Sequence, residues 1–156
     1  MSARRQRQMC IRDSFKAKSS IPVAAGECEY LRYGFQKLID KNCIDFLQMD
    51  ICSCGGLTEA KRITALSSTK GVKVIPHTWG SGIAFFTAIN FISNLEPIPG
   101  RLYQEDAYIE YDRTENKIRE NIIKNNIVMK DGYIEVNTKP GLGIDVDETY
   151  LNKVKI

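Results

Sequence analysis

No stretch of the sequence approaches the ~18 consecutive apolar residues that a membrane span needs. The N-terminus also lacks the apolar core of a secretory signal. The five cysteines, Cys10, Cys28, Cys43, Cys52 and Cys54, form no C-x-x-C pair and no Cys/His cluster with zinc spacing. Their odd number argues against a disulfide scaffold, and they read as reduced thiols in a cytoplasmic protein. With 43% hydrophobic and 26% charged residues, the composition excludes a disordered tail or a collagen-like repeat. At 156 residues the chain has room for one ordinary domain and not for two.

Net charge is absent from the part that should fold. The formal charge is +3, from 22 basic and 19 acidic side chains. Residues 1–14 hold Arg4, Arg5, Arg7 and Arg12 against Asp13 alone, so the remaining 142 residues balance 18 bases with 18 acids. A neutral domain gives no basic face for nucleic acid. The leader MSARRQRQMCIRDS has no helical or strand periodicity. It reads either as a disordered basic arm or as translated sequencing-adapter sequence, and it is set aside from fold reasoning. On the second reading the natural protein extends upstream of about Asp13–Phe15.

What is there alternates between two periods. Ile21–Ala25 is a short apolar run ended by Gly26, and Leu31–Lys41 has apolar residues at helical spacing. Ile44–Ile51 reads as a second strand, and Leu57–Thr69 as a helix stopped by Gly71. Val72–Ile75 is a third strand, Ile83–Leu95 an apolar helix, and Ala107–Tyr111 a fourth strand. This β-α-β-α-β-α-β order predicts parallel strands joined by right-handed crossovers. After Asp112 the pattern changes to a short polar helix at 116–124, a hairpin or a bent strand over 127–136 around Asp131-Gly132, and a last helix capped by Asp147.

Each strand places an ionisable residue at or near its C-terminal end: Glu27, Asp50, His77 and Glu110. In α/β folds that edge is where sites are built. Taken singly, Glu27 and Glu110 also fit solvated loop acids, Asp50 fits a helix cap, and His77, the only histidine, fits a structural residue.

The segments IPVAAGE (21–27), DFLQMDICSCGGLTEA (45–60), VIPHTWGSGI (74–83) and PGLGIDVD (140–147) together resemble the enolase superfamily, in its mandelate racemase, muconate lactonizing enzyme and acid-sugar dehydratase branch. The resemblance covers about residues 15–156. It implies an α/β fold: the C-terminal half of a (β/α)₈ barrel plus the C-terminal piece of an α+β capping domain. Residues 15–112 would then be the last four β/α units, and residues 113–156 a segment packing with the capping domain. It also implies roles. Glu27 matches a carboxylate ligand of an essential Mg²⁺. Asp50 and His77 match a hydrogen-bonded dyad in which His77 is the general base. Glu110 matches the acid that hydrogen-bonds the substrate carboxylate, and Trp79 is taken as a substrate contact. Cys28 stands where Asn or Ser is common in the family, and Met49 where Pro is common; neither change removes a ligand or the base.

The implied activity is that of a fragment of a Mg²⁺-dependent aldonate or aldarate dehydratase, a hydro-lyase acting on a small sugar acid through an enolate. A racemase or epimerase of a 2-hydroxy acid, or a non-catalytic fragment or binding protein, stays open. The chemistry suits the residue types. Removing a proton alpha to a carboxylate makes two adjacent negative oxygens, which a cation held by carboxylates can offset. A histidine titrates near working pH and so can take the proton. A barrel of this type needs about 250 residues and eight strands. The other Mg²⁺ ligands and a strand-two lysine would therefore lie upstream, the full-length protein would be a homo-oligomer, and the 156 residues alone would be inactive. No nucleic-acid or membrane partner is expected.

Overall fold

The computed structural model describes residues 11–97, 102, 106–124 and 127–155. They fall into two compact units, one running to His77 and including Glu96–Tyr108, the other made of Thr78–Leu95 and Ile109–Ile156.

The first unit is a three-stranded parallel sheet with two crossover helices. Its elements are β1 (Ala24–Ala25), α1 (Leu31–Asp40), β2 (Phe46–Leu47), α2 (Gly56–Ser68) and β3 (Lys73–Val74). The order is β1-β2-β3, with Ala25 level with Leu47 and Leu47 level with Val74. The strands proper are short, but main-chain pairing continues past them. Gln48 N–H donates to Ala25 C=O at 2.9 Å, Ile75 N–H to Leu47 C=O at 3.0 Å, and His77 N–H to Met49 C=O at 3.1 Å. Leu47, Met49 and Pro76 are fully buried, as continuous apolar strand runs require.

Helix α1 buries Phe35, Leu38 and Ile39, the i, i+3, i+4 face that its spacing predicts, and packs against α2, which buries Ala60 and Ile63. Its own N-cap, Tyr30, supplies no side-chain bond. The carboxylate of Glu59 in α2 does this instead. Oε1 accepts from the Arg32 backbone N–H at 2.9 Å and from Arg32 Nε at 2.7 Å, while Oε2 accepts from Arg32 Nη2 at 2.9 Å and Arg62 Nη1 at 3.2 Å. These bonds, the Arg32 backbone N–H foremost, hold the carboxyl at about 2.

Residues 1–10 of the leader lie outside the described residues. Residues 11–16 are helical. The tail end of this turn is fastened: Lys16 Nζ reaches Asn42 Oδ1 at 3.0 Å, Ile44 C=O at 2.8 Å and Asp45 Oδ1 at 3.1 Å. A single turn of this length carries too little periodicity to be read from sequence.

The second unit packs α3 (Gly82–Ile92) against α4 (Lys117–Asn121), followed by the hairpin β4 (Met129–Lys130) and β5 (Tyr133–Ile134) and by α5 (Glu148–Val154). Phe85, Phe86, Ile89, Ile122 and Ile123 form its core, with Ile109 and Tyr111 packed on it. Gly82 allows the close approach of α3 and α4, since a Cβ there would lie 2.7 Å from Arg119 C=O. The hairpin turns at Asp131 and Gly132, both at positive φ, the geometry a two-residue loop needs. Asp147 caps α5 through Tyr150 N–H at 2.9 Å. Buried Arg119 donates to Asp112 at 2.6 Å and to Thr114 C=O.

One expectation is corrected. The described residues around Ala107–Tyr111 carry no strand, so the described parallel sheet has three strands rather than four. Ala107 and Tyr108 are exposed, and Ile109 and Tyr111 serve the core of the second unit rather than a strand ladder. The contacts divide the chain after His77, because α3 buries its apolar residues against Ile122 and Ile123.

Candidate active site

The first unit builds three of the expected residues from one register. Gly26 (φ +140°) follows β1 and passes so close to β2 that a Cβ would sit 2.9 Å from Gln48 C=O. Glu29 N–H then donates to Gly26 C=O at 2.9 Å, closing a turn that leaves the Glu27 side chain outside, 60% exposed. Asp50 lies three residues beyond Leu47 and His77 three beyond Val74, so the two occupy one row on neighbouring strands. Asp50 is half-buried and closes its own turn, with Oδ1 accepting from Cys52 N–H at 2.8 Å and its carbonyl from Cys54 N–H at 2.7 Å. It does not cap α2, whose N-cap is Gly55.

The His77 ring, 21% exposed, has Nδ1 3.7 Å from Glu27 Oε2. β1 and β3 are separated by β2, which at ~4.8 Å per step places their backbones roughly 9.6 Å apart. The 3.7 Å contact therefore has both side chains leaning inward over the end of β2. That distance is too long for a hydrogen bond and short enough for charge attraction once the ring is protonated. Two exposed thiols stand beside these groups in the chain, Cys28 after Glu27 and Cys52 after Asp50.

Glu110 and Trp79 belong to the second unit. Trp79 is 69% exposed. The Glu110 carboxylate accepts from Thr78 N–H at 3.2 Å, and its carbonyl accepts from the Thr78 hydroxyl. Sequence reasoning named the histidine and the tryptophan of PHTWG and passed over the threonine between them, whose buried position was the missing signal.

As a metal site, the donor chemistry fits only in part. Glu27 offers a hard, solvent-facing carboxylate of the kind Mg²⁺ takes. Among the described residues no group of three or more His, Cys, Asp or Glu could hold a metal ion. No described helix is long and apolar enough to cross a membrane.

Parallel β/α units with acids and a histidine gathered at the C-terminal ends of the strands define a β/α-barrel type of site. Comparison with known proteins carries this to a family. The profile described as "Enolase C-terminal domain-like" matches residues 7–150, and the chain belongs to that family. Its fold is accordingly the C-terminal half of the (β/α)₈ barrel of the enolase superfamily. The chain is 33% identical over 141 residues to the D-galactarolactone cycloisomerase of Agrobacterium fabrum, covering 90% of this chain and 37% of that protein. It is 31% identical over 134 residues to the D-galactonate dehydratase of Variovorax paradoxus, covering 85% of this chain and 34% of that one. The crystal structure of the 3,6-anhydro-D-galactonate cycloisomerase from Zobellia galactanivorans superposes with a TM-score of 0.83 at 40% identity, over 94% of this chain and 39% of that one. The chain thus spans little more than a third of the relatives it matches. The match begins at residue 7, inside the stretch set aside as a leader.

Proposed function

We propose that these residues form the base-bearing half of a sugar-acid enzyme that removes the proton alpha to a carboxylate and then expels the β-oxygen. The observation that carries this is the convergence of Glu27 and His77 over the end of β2, with Asp50 in the same row as His77. His77 takes the α-proton. Asp50 fixes its tautomer and orientation, the usual task of a carboxylate beside a catalytic histidine. Glu110 hydrogen-bonds the substrate carboxylate as its charge grows, and Trp79 offers an exposed face to the sugar. Glu27 would hold Mg²⁺ together with carboxylates from outside this chain. When bound, the cation would supply Lewis-acid stabilisation of the enolate.

In the dehydratase reading the C–O bond to the β-hydroxyl breaks, its electron pair stays on oxygen, and protonated His77 returns a proton so that water leaves. The resulting enol tautomerises to a 2-keto acid. A second reading has specific support: two of the relatives, at 33% and 40% identity, are cycloisomerases. There the departing β-oxygen belongs to a ring, the same proton removal opens the ring, and nothing is released. A racemase would stop at proton exchange.

The test uses the intact protein with galactonate, galactarolactone and 3,6-anhydrogalactonate in deuterated water. His77→Asn should abolish exchange of the α-hydrogen, a loss of about 10²–10⁴-fold for a general base, with Mg²⁺ affinity nearly unchanged. Glu27→Gln should weaken Mg²⁺ first and lose activity as a consequence. Loss of the mass of water from the product marks dehydration, and an isomer of equal mass marks ring opening. Normal exchange in His77→Asn would show that the histidine is structural.

A further inference from the structure

We propose that Thr78 is a positioning residue for Glu110, acting on both its backbone and its carboxylate. The proposal rests on the reading of Glu110 as the acid that meets the substrate carboxylate.

Glu27, Asp50 and His77 all stand within two residues of a main-chain ladder bond. Glu110 has no such ladder among the described residues, since 106–110 forms no strand. Its aim must come from other contacts, and Thr78 supplies two. The hydroxyl donates to the Glu110 carbonyl, which fixes where the Cα of Glu110 sits. The Thr78 backbone N–H donates to Oε2 at 3.2 Å, which fixes how the side chain is turned. One residue thereby constrains position and rotation together.

The residue type suits the task. Thr78 is 7% exposed, so water competes little for its bonds. Its β-branched side chain is stiff about χ1, so the hydroxyl is held toward the carbonyl at small entropic cost. Serine keeps the hydroxyl and loses only a methyl group. Valine keeps the shape and loses the donor. Neither removes the backbone N–H, so the carboxylate contact survives while its anchor is lost in the valine variant.

The test compares Thr78→Val, Thr78→Ser, Glu110→Gln and the double variant Thr78→Val/Glu110→Gln in the intact protein, with Mg²⁺ and the sugar acid it turns over. A misplacement of about 1 Å can cost on the order of 10²-fold in rate, so Thr78→Val should lower kcat roughly 10–100-fold with KM little changed. Thr78→Ser should restore most of the rate. The decisive measurement is the double variant. If Thr78 works through Glu110, adding Thr78→Val to Glu110→Gln should slow the enzyme no further, because coupled residues are not additive. Losses that multiply would mean that Thr78 acts on stability or elsewhere, and would overturn the proposal. So would a Thr78→Val enzyme of normal kcat beside a crippled Glu110→Gln. If Glu110→Gln itself turns over normally, the role of Glu110 is wrong and the positioning proposal falls with it, a result distinct from the other two.

Discussion

Replacing Gly26 with alanine tests whether the sheet edge that presents Glu27 is as tightly specified as the geometry says. Two penalties coincide there. At φ +140° an L-residue is strained, at about 1–3 kcal/mol. The added Cβ would also lie 2.9 Å from the Gln48 carbonyl oxygen, with Gln48 carbon and nitrogen at 3.1 and 3.2 Å. These are backbone atoms, and Gln48 cannot retreat freely because its N–H donates to Ala25 C=O at 2.9 Å. Crowding of this kind costs a further ~1–3 kcal/mol. Less unfolded-chain entropy returns ~0.4–1 kcal/mol. The net expectation is a loss of about 3 kcal/mol, a large part of a ~5–15 kcal/mol domain stability. Gly71→Ala is the control: its φ is +66°, but nothing lies within 4 Å of the new Cβ. Strain without crowding should cost only about 1 kcal/mol. Urea unfolding of the 156-residue chain, followed by far-UV circular dichroism at low protein concentration, separates the two. With a slope of ~2 kcal/mol per molar, Gly26→Ala should lower the midpoint by roughly 1.5 M and Gly71→Ala by about 0.5 M. Equal losses, or a Gly26→Ala chain as stable as its parent, would refute the argument that β1 and β2 meet without room for a methyl group.

Glu59→Gln should destabilise the chain at neutral pH. The folded carboxyl is held at about 2 against 4.5 when free, so its stabilisation is complete above 4.5 and lost as pH falls through about 2; urea midpoints of the two chains should therefore converge on acidification. Among the described cysteines, exposed Cys28 should alkylate fastest in the folded chain, exposed Cys52 more slowly because burial and the Asp50 charge raise its thiol, and Cys43 and Cys54 least, because both are buried and burial pushes the Cys54 thiol up to about 11. Peptide mapping before and after denaturation reads this directly. Expressed as these 156 residues, the chain should self-associate as concentration rises, since β1 and β3 are the two ends of the described sheet and open strand edges pair with other chains; light scattering that stays monomeric would count against it.

Local features of the fold were legible because local spacing determines them. The helices beginning at Leu31, Gly56 and Gly82 follow from 3.6-residue periodicity, the Asp131-Gly132 turn from its two residues, and the Asp147 cap from its side chain. The parallel order of β1, β2 and β3 follows from their alternation with helices. The features that escaped depend on distant partners. Glu59 reads as a first-turn acid serving its own helix, yet its carboxylate caps α1, 27 residues away. Ala107–Tyr111 alternates like a strand, but alternation does not say whether a ladder partner stands beside it. Thr78 is an ordinary residue until Glu110, 32 residues on, is folded against it. In the site, the order of acids and histidine at strand ends could be read, whereas the contact of Glu27 with His77 across an intervening strand depends on how the two side chains lean, which the sequence does not carry.

The main-chain bonds that run past the ends of β1, β2 and β3 divide the chain by its tolerance of changes in length. An inserted residue within 44–50 or 72–77 would turn every later side chain of that run to the opposite face, because orientation alternates at each residue. Asp50 and His77 would then be presented to the wrong side. An insertion in the connecting segments after Cys52 or Trp79 falls outside the ladder runs themselves, so it shifts the register of none of β1, β2 or β3. Changes of loop length should accordingly be tolerated beyond those points, while the spacing from each last ladder bond to Asp50 and His77 stays constant. If the proposed function holds, a library of loop insertions there would alter which substrate is accepted and leave the placement of His77 unchanged.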